Sequence, residues 1–216
     1  MNHSFFSPRH LGRRAAGLAC LLGCTAPALA HHPLGGRGPQ NLAEGLLSGL
    51  GHPIIGIDHL AFMVAIGLLA VGQSRRYVVP AAFVLTTLVG TLLHVMRFDL
   101  VAVELTVALS VVVAGGLLFS NRRYRPAYLM LLCAVAGLFH GYAYGESIVG
   151  AEATPLLAYL AGFSIVQYAL MATVIWVGGR VLGAPDRVAG GALSRRAGSV
   201  ISLTGLVFLS LAIVAA

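Results

Sequence analysis

The sequence predicts an all-α fold, a polytopic membrane helix bundle with six transmembrane helices after a cleaved N-terminal signal peptide. Three observations lead there. Hydrophobic residues fill 58% of the 216 positions and charged residues 10%, whereas a soluble domain carries roughly a quarter charged residues. Six apolar runs, approximately 54–71, 78–96, 100–119, 127–145, 156–177 and 198–215, come near the ~20 residues that cross a ~30 Å hydrocarbon core. None alternates as a barrel strand would, and backbone groups in lipid must be paired internally, so the runs are helices.

Residues 1–30 read as a secretory signal: Arg9, Arg13 and Arg14 form the basic region, 15–24 the apolar stretch, and Ala28-Leu29-Ala30 the cleavage site. An uncleaved first helix and acylation at Cys24 are the rival readings; Pro27 and the small residues favour cleavage after Ala30. Residues 31–51 then form a periplasmic N-terminal segment with a short amphipathic or interfacial helix over 41–50, capped by Asn41 with Glu44 in its first turn. Residues 52–216 form the six-helix domain. Cleavage would expose His31 and His32, whose imidazoles beside a free amine suit capture of a divalent metal. Cys20 and Cys24 fall in the signal and Cys133 in a span, so no disulfide framework or CxxC pair is available.

The net charge of +7 comes from arginine alone, and the arginines sit mostly between apolar runs. Topology explains them better than phosphate binding, which removes nucleic acid as a partner. With the mature N-terminus outside, the cytoplasmic loops carry Arg75, Arg76, Arg122, Arg123, Arg125, Arg180, Arg187, Arg195 and Arg196; the outer segments carry Arg37 and Arg97. That satisfies the positive-inside rule and places a multi-pass chain in a bacterial inner membrane. Short loops leave no room for a second domain. Gly137, Gly141 and Gly145 form a face that another backbone can approach closely.

On this topology the intramembrane polar residues gather in the outer half. His52, Asp58 and His59 open the first span, His94 closes the second, Glu104 lies one turn into the third, and His140 and Glu146 end the fourth. An ionisable group inside a bilayer is costly and therefore points to function. Pro53 suits a first helical position, which would make His52 a cap. A straight helix would hold His52 and His59 ~10 Å apart. Either Gly56 allows a bend or unwound turn, or the two histidines serve successive stations. Imidazole and carboxylate suit Zn, Ni, Co, Cu(II), Fe or Mn, and the lack of thiolates argues against Cu(I) and structural zinc. Ser164 and Gln167, midway along the fifth span, line a path or merely join helices.

His52-Pro53-x3-Gly56-x-Asp58-His59-Leu60-x-Phe62-Met63 resembles the H-x5-D-H signature of the HupE/UreJ family of nickel permeases, which are associated with hydrogenase and urease maturation. Phe139-His140-Gly141-Tyr142-Ala143-Tyr144-Gly145-Glu146 resembles its second motif, F-H-G-H-A-H-G-x-E, with Tyr142 and Tyr144 where the family often has histidine and the carboxylate one position early. The resemblance covers nearly all of the mature chain. It implies an inner-membrane permease for Ni²⁺, with Co²⁺ a competing ion, supplying metalloenzyme maturation. His52, Asp58, His59, His140 and Glu146 would be the metal ligands, with His31, His32, His94 and Glu104 less securely so. No enzyme activity and no permanently bound cofactor are expected. The expected partners are a divalent metal ion and the lipid bilayer, with an indirect link to hydrogenase or urease maturation and a homo-oligomer left open. The rival classes are a bis-histidine haem electron carrier, with His59 opposite His94 or His140, and a metal-dependent intramembrane hydrolase.

Overall fold

The computed structural model describes residues 37–120, 122–181 and 191–215, and every regular element among them is helical. In chain order these are α1 (Leu42–Ile55), α2 (Ile57–Ala70), α3 (Val78–Val95), α4 (Val103–Ser120), α5 (Pro126–Gly145), a 3-10 turn (Glu146–Ile148), α6 (Ala153–Val181) and α7 (Ala192–Ala215). The expected signal over 1–30 and its cleavage site, with His31 and His32, lie outside the described residues.

Helices α3 to α7 are each long and apolar enough to cross a membrane, and α1 with α2 meets that test as a pair bent by 74°. The order of contacts shows how the pair runs. A Cβ on Gly45 would strike the Pro155 backbone and one on Gly49 the Tyr159 carbonyl, whereas one on Gly67 would meet Val174 and one on Gly178 would meet Val71. Thus α1 follows the first part of α6 and α2 its second part, in the same direction. Counted as one broken span, the pair brings the candidate crossings among the described helices from five to six.

The helix before the break is longer than sequence periodicity suggests. The helix expected over 41–50 extends to Ile55 and packs along α6 in line with α2. It begins at Asn41, whose side chain accepts the Glu44 N–H at 2.9 Å, and continues to Ile55. Gly45 and Gly49 let α1 lie directly on the α6 backbone. Pro53 lies within α1 rather than at a helix start, so His52 is in the last turn and not a cap.

One end of the bundle is set by several contacts. Gln73 Nε2 donates to the Tyr124 carbonyl at 3.0 Å, joining the α2–α3 and α4–α5 connections. A Cβ on Gly198, at the start of α7, would lie 2.5 Å from the Phe119 N at the end of α4. Arg75, Arg76, Arg122, Arg123, Arg125 and Arg180 belong to this arginine end, and His52, His59, His94 and His140 lie toward the other, the histidine end.

Three tight seams and one central helix make the bundle. Glycines bring backbones together at α1/α6 (Gly45, Gly49, Gly162), α3/α5 (Gly90, Gly137, Gly141, Gly145) and α4/α7 (Gly115, Gly198, Gly205). The expected close approach at Gly137, Gly141 and Gly145 is met by α3. Helix α2 runs through the middle and buries Phe62, Met63, Ala65, Ile66 and Ala70 against α4, α6 and α7. Leu85, Leu109, Leu131, Ile165, Trp176 and Leu203 are exposed on the outside, an apolar surface suited to lipid.

Candidate functional site

The break between α1 and α2 organises the site. A proline lacks an N–H and its ring crowds the carbonyl four residues back, so Pro53 brings α1 close to its end. Gly56 then takes φ −70° and ψ 99°, extended backbone open to most residues. Its need for glycine is space: a Cβ would lie 2.5 Å from His59 Cδ2 and 3.4 Å from Asp58 Oδ1. The Gly56 N–H donates to the His52 carbonyl at 3.1 Å, and the Gly56 carbonyl accepts the Leu60 N–H at 2.8 Å. The bend thus leaves neither backbone group unpaired. Of the two arrangements left open by sequence, the bend is realised, and it brings the His52 and His59 ring centroids to 6.1 Å. Asp58 is buried in the first turn of α2, where the helix dipole favours a carboxylate, and accepts the His59 N–H at 2.8 Å.

Counting protons orients the imidazoles. Ser110 on α4 donates its one proton to the Val107 carbonyl at 2.6 Å, so toward His140 Nε2, at 2.9 Å, it can only accept. In neutral rings, His140 Nδ1 is then an acceptor, and the proton in its 2.7 Å contact with His59 Nδ1 belongs to His59. His59 therefore carries its lone pair on Nε2. The Tyr159 hydroxyl donates to the Tyr144 carbonyl at 2.8 Å, so His52 Nδ1, 2.9 Å from that hydroxyl, is the donor to it. Ser147 Oγ lies 3.0 Å from the same nitrogen and donates to the Tyr144 carbonyl at 3.1 Å. His52 likewise carries its lone pair on Nε2. A hydrogen bond on one ring nitrogen that prepares the other as a donor is the usual support of a metal-ligating histidine.

Tyr144 stands between the two rings, 5.0 Å from the His52 centroid and 4.5 Å from that of His59. Its hydroxyl is buried without a hydrogen-bond partner. On the arginine side of His140, the Phe62 and Phe83 rings lie 4.7 and 5.6 Å away and close the site with apolar surface.

The expected residues divide. His52, Asp58, His59 and His140 are buried together around the break. His94 is half-buried beside α5, where its Nδ1 donates to the Tyr142 carbonyl at 2.7 Å. Glu104 opens α4 and Glu146 opens the 3-10 turn, both exposed. Among the described residues, no three His, Cys, Asp or Glu side chains are gathered closely enough to hold one metal ion. Ser110, Ser147 and Tyr159 escaped sequence reasoning, and Tyr144 entered it only as a departure from the second motif. For Ser110 and Tyr159 the signal was a hydroxyl or phenol set in an apolar helix.

Two sequence comparisons bear on this arrangement. The family model described as HupE / UreJ protein matches residues 18–208. The chain belongs to the HupE/UreJ family. Protein HupE of Rhizobium leguminosarum bv. viciae is 34% identical over 191 residues, covering 85% of this chain and 91% of that protein. No solved structure matches. The HupE/UreJ family is linked to metal handling for hydrogenase and urease, and its members are transporters or accessory proteins. The apolar helices fit a multi-pass membrane protein of that family.

Proposed function

We propose that this chain is a permease for a divalent transition metal, Ni²⁺ foremost with Co²⁺ as competitor, serving metalloenzyme maturation. One observation carries the reading. Two buried imidazoles, each held through its Nδ1 by a hydrogen bond, lie near a buried carboxylate where α1 breaks into α2. Neutral imidazole and carboxylate hold Ni²⁺ or Co²⁺ without the thiolates that would retain it. His52, Asp58 and His59 are the primary ligands, with His140 brought in by rotation out of its bond to His59. Glu146 and Glu104, exposed toward the same end, and His94 serve approach, as do His31 and His32 in a mature N-terminus. The metal is cargo, and no resident cofactor is assigned.

The arginine end is the cytoplasmic one on the positive-inside rule, so metal enters at the histidine end from the periplasm after removal of residues 1–30. For a divalent ion, a potential of 100 mV contributes about 4.6 kcal/mol to entry, at ~2.3 kcal/mol per charge. The haem reading fares worse. An iron between two imidazoles holds their nitrogens ~4 Å apart, at ~2 Å per bond, whereas His59 and His140 are joined directly at 2.7 Å.

The test is Ni²⁺ uptake by cells expressing wild type, Asp58→Asn or His59→Ala at matched membrane levels. Uptake should fall at least ~10-fold in each variant. Wild-type uptake in both would remove the assigned site. Parallel assays with Co²⁺, Zn²⁺ and Mn²⁺ identify the preferred ion.

A further inference from the structure

The arginine end carries charge that the described residues leave unbalanced. Among them, Glu44, Asp58, Asp99, Glu104, Glu146 and Glu152 all lie toward the histidine end. There Arg37 finds Glu44 at 3.0 Å, whereas neither Arg76 nor Arg180 has an ion pair among the described residues. Both of these arginines are exposed, and they come to one place. Arg76, in the α2–α3 connection, reaches across to α6, and its Nη1 lies 3.9 Å from where a Cβ on Gly179 would stand. Arg180 is the next residue, with its guanidinium carbon 4.4 Å from the centre of the Trp176 ring. Trp176 lies three residues before Gly179 and four before Arg180, so the three share one face of α6.

Aromatic rings hold both guanidiniums in place. The Arg76 guanidinium carbon is 5.2 Å from the Tyr77 ring centre, and Trp176 holds Arg180 in the same way. A guanidinium settled on a ring still presents its forked N–H donors, which match phosphate oxygens in pairs. The surface beside them is apolar. Val78 at the start of α3, and Val177 and Val181 on α6, are exposed together with Tyr77 and Trp176, rings of the kind that favour a bilayer interface. A free inorganic anion would use the guanidiniums alone. A lipid uses the charge and the apolar surface together.

We propose that Arg76 and Arg180 hold the phosphate of an anionic phospholipid whose acyl chains run along Val78, Val177 and Val181. The lipid ties the α2–α3 connection to the end of α6, against which α2 packs through Val71 and Gly178. The site does not depend on the permease reading.

The experiment is native mass spectrometry of the full chain in detergent, titrated with phosphatidylglycerol, phosphatidylcholine or inorganic phosphate. Wild type should retain phosphatidylglycerol about 10-fold more tightly than phosphatidylcholine. Arg76→Gln combined with Arg180→Gln should abolish that preference. Arg180→Gln alone should weaken it about 3-fold or more, which keeps the test decisive if the double variant does not fold. Arg122→Gln removes a charge from the same end but not from this face of α6, and should stay within about 2-fold of wild type. Equal loss in Arg122→Gln and Arg180→Gln would overturn the site and leave only a general attraction between basic loops and anionic lipid. Displacement of phosphatidylglycerol by equimolar inorganic phosphate would overturn the lipid assignment in favour of a free anion.

Discussion

The interiors of the two halves of this bundle are oppositely built. Toward the histidine end the interior is a chain of polar groups: His52, Tyr159 and Ser147 in one branch, and His59, His140 and Ser110 in the other. Toward the arginine end it is dry, with Met63, Ile66, Ala70, Val79, Met171 and Ile175 packed together. Buried polar groups are tolerated when paired, and pairing is what the first half supplies. On the permease reading, a cation held at the break meets no continuous polar route among the described residues, and passage requires helices around α2 to part on the arginine side. On the same reading, the contrast assigns selection and closure to separate layers.

The largest expected effect comes from the seams common to both halves. A side chain on Gly141 would be driven into the Thr87 backbone, whereas a Cβ on Gly116 meets nothing within 4 Å. Gly141→Leu should remove more than ~3 kcal/mol and leave little monodisperse protein after detergent extraction. Gly116→Ala should instead stabilise by roughly 0.5–1 kcal/mol, because a helical glycine carries extra unfolded-state entropy. Equal melting temperatures for the two variants would mean that α3 and α5 do not depend on glycine contact.

The contrast between halves is sharpened by one variant in each. Ile66→Ala opens a cavity in the dry layer and should cost about 2–5 kcal/mol in thermal unfolding with Ni²⁺ affinity unchanged. Ser110→Ala removes the acceptor for His140 Nε2, leaving a buried donor unpaired at about 1–3 kcal/mol. Because Ser110 fixes the protons of both His140 and His59, Ni²⁺ affinity should also fall about 10-fold or more. Tyr159→Phe should act similarly on His52 but more weakly, since Ser147 Oγ stays within reach of the same nitrogen. Isothermal titration of purified variants reads all three. Affinity loss in Ile66→Ala matching that in Ser110→Ala would erase the division of labour.

How much of this could be read from the sequence depends on what kind of cause was at work. Span count and the gathering of His52, Asp58, His59 and His140 were legible because hydropathy and helical rise act locally and along one axis. The start of the first span was not. Gly45, Ser48 and Gly49 look weakly apolar alone, and only contact with Pro155 and Tyr159 on α6, over a hundred residues away, joins 42–50 to the bundle. Ser110 and Tyr159 were hidden for a related reason. A hydroxyl in an apolar helix often bonds its own backbone, as Ser110 does to Val107, and nothing local reveals that its oxygen also receives an imidazole from α5. Glu104 and Glu146 share the histidine end with the buried cluster, yet rotation about the helix axis leaves both exposed.

The smallest expected effect tests a corner outside both layers. Helix α3 ends with the Phe98 N–H donating to the Leu93 carbonyl at 3.0 Å and the Arg97 N–H to the His94 carbonyl at 2.9 Å. This closing pattern requires a left-handed residue after the cap, and Arg97 supplies it at φ 63°. Glycine is at ease there, whereas a residue with a Cβ is strained by roughly 1–2 kcal/mol. Arg97→Gly keeps both N–H donors and should therefore raise Tm by about 2–4 °C per kcal/mol gained. Ni²⁺ binding should not change, since Arg97 has no place in the hydrogen-bond chain that orients His52 and His59. A lower Tm would mean that the arginine side chain, rather than the backbone turn, holds this corner of the histidine end.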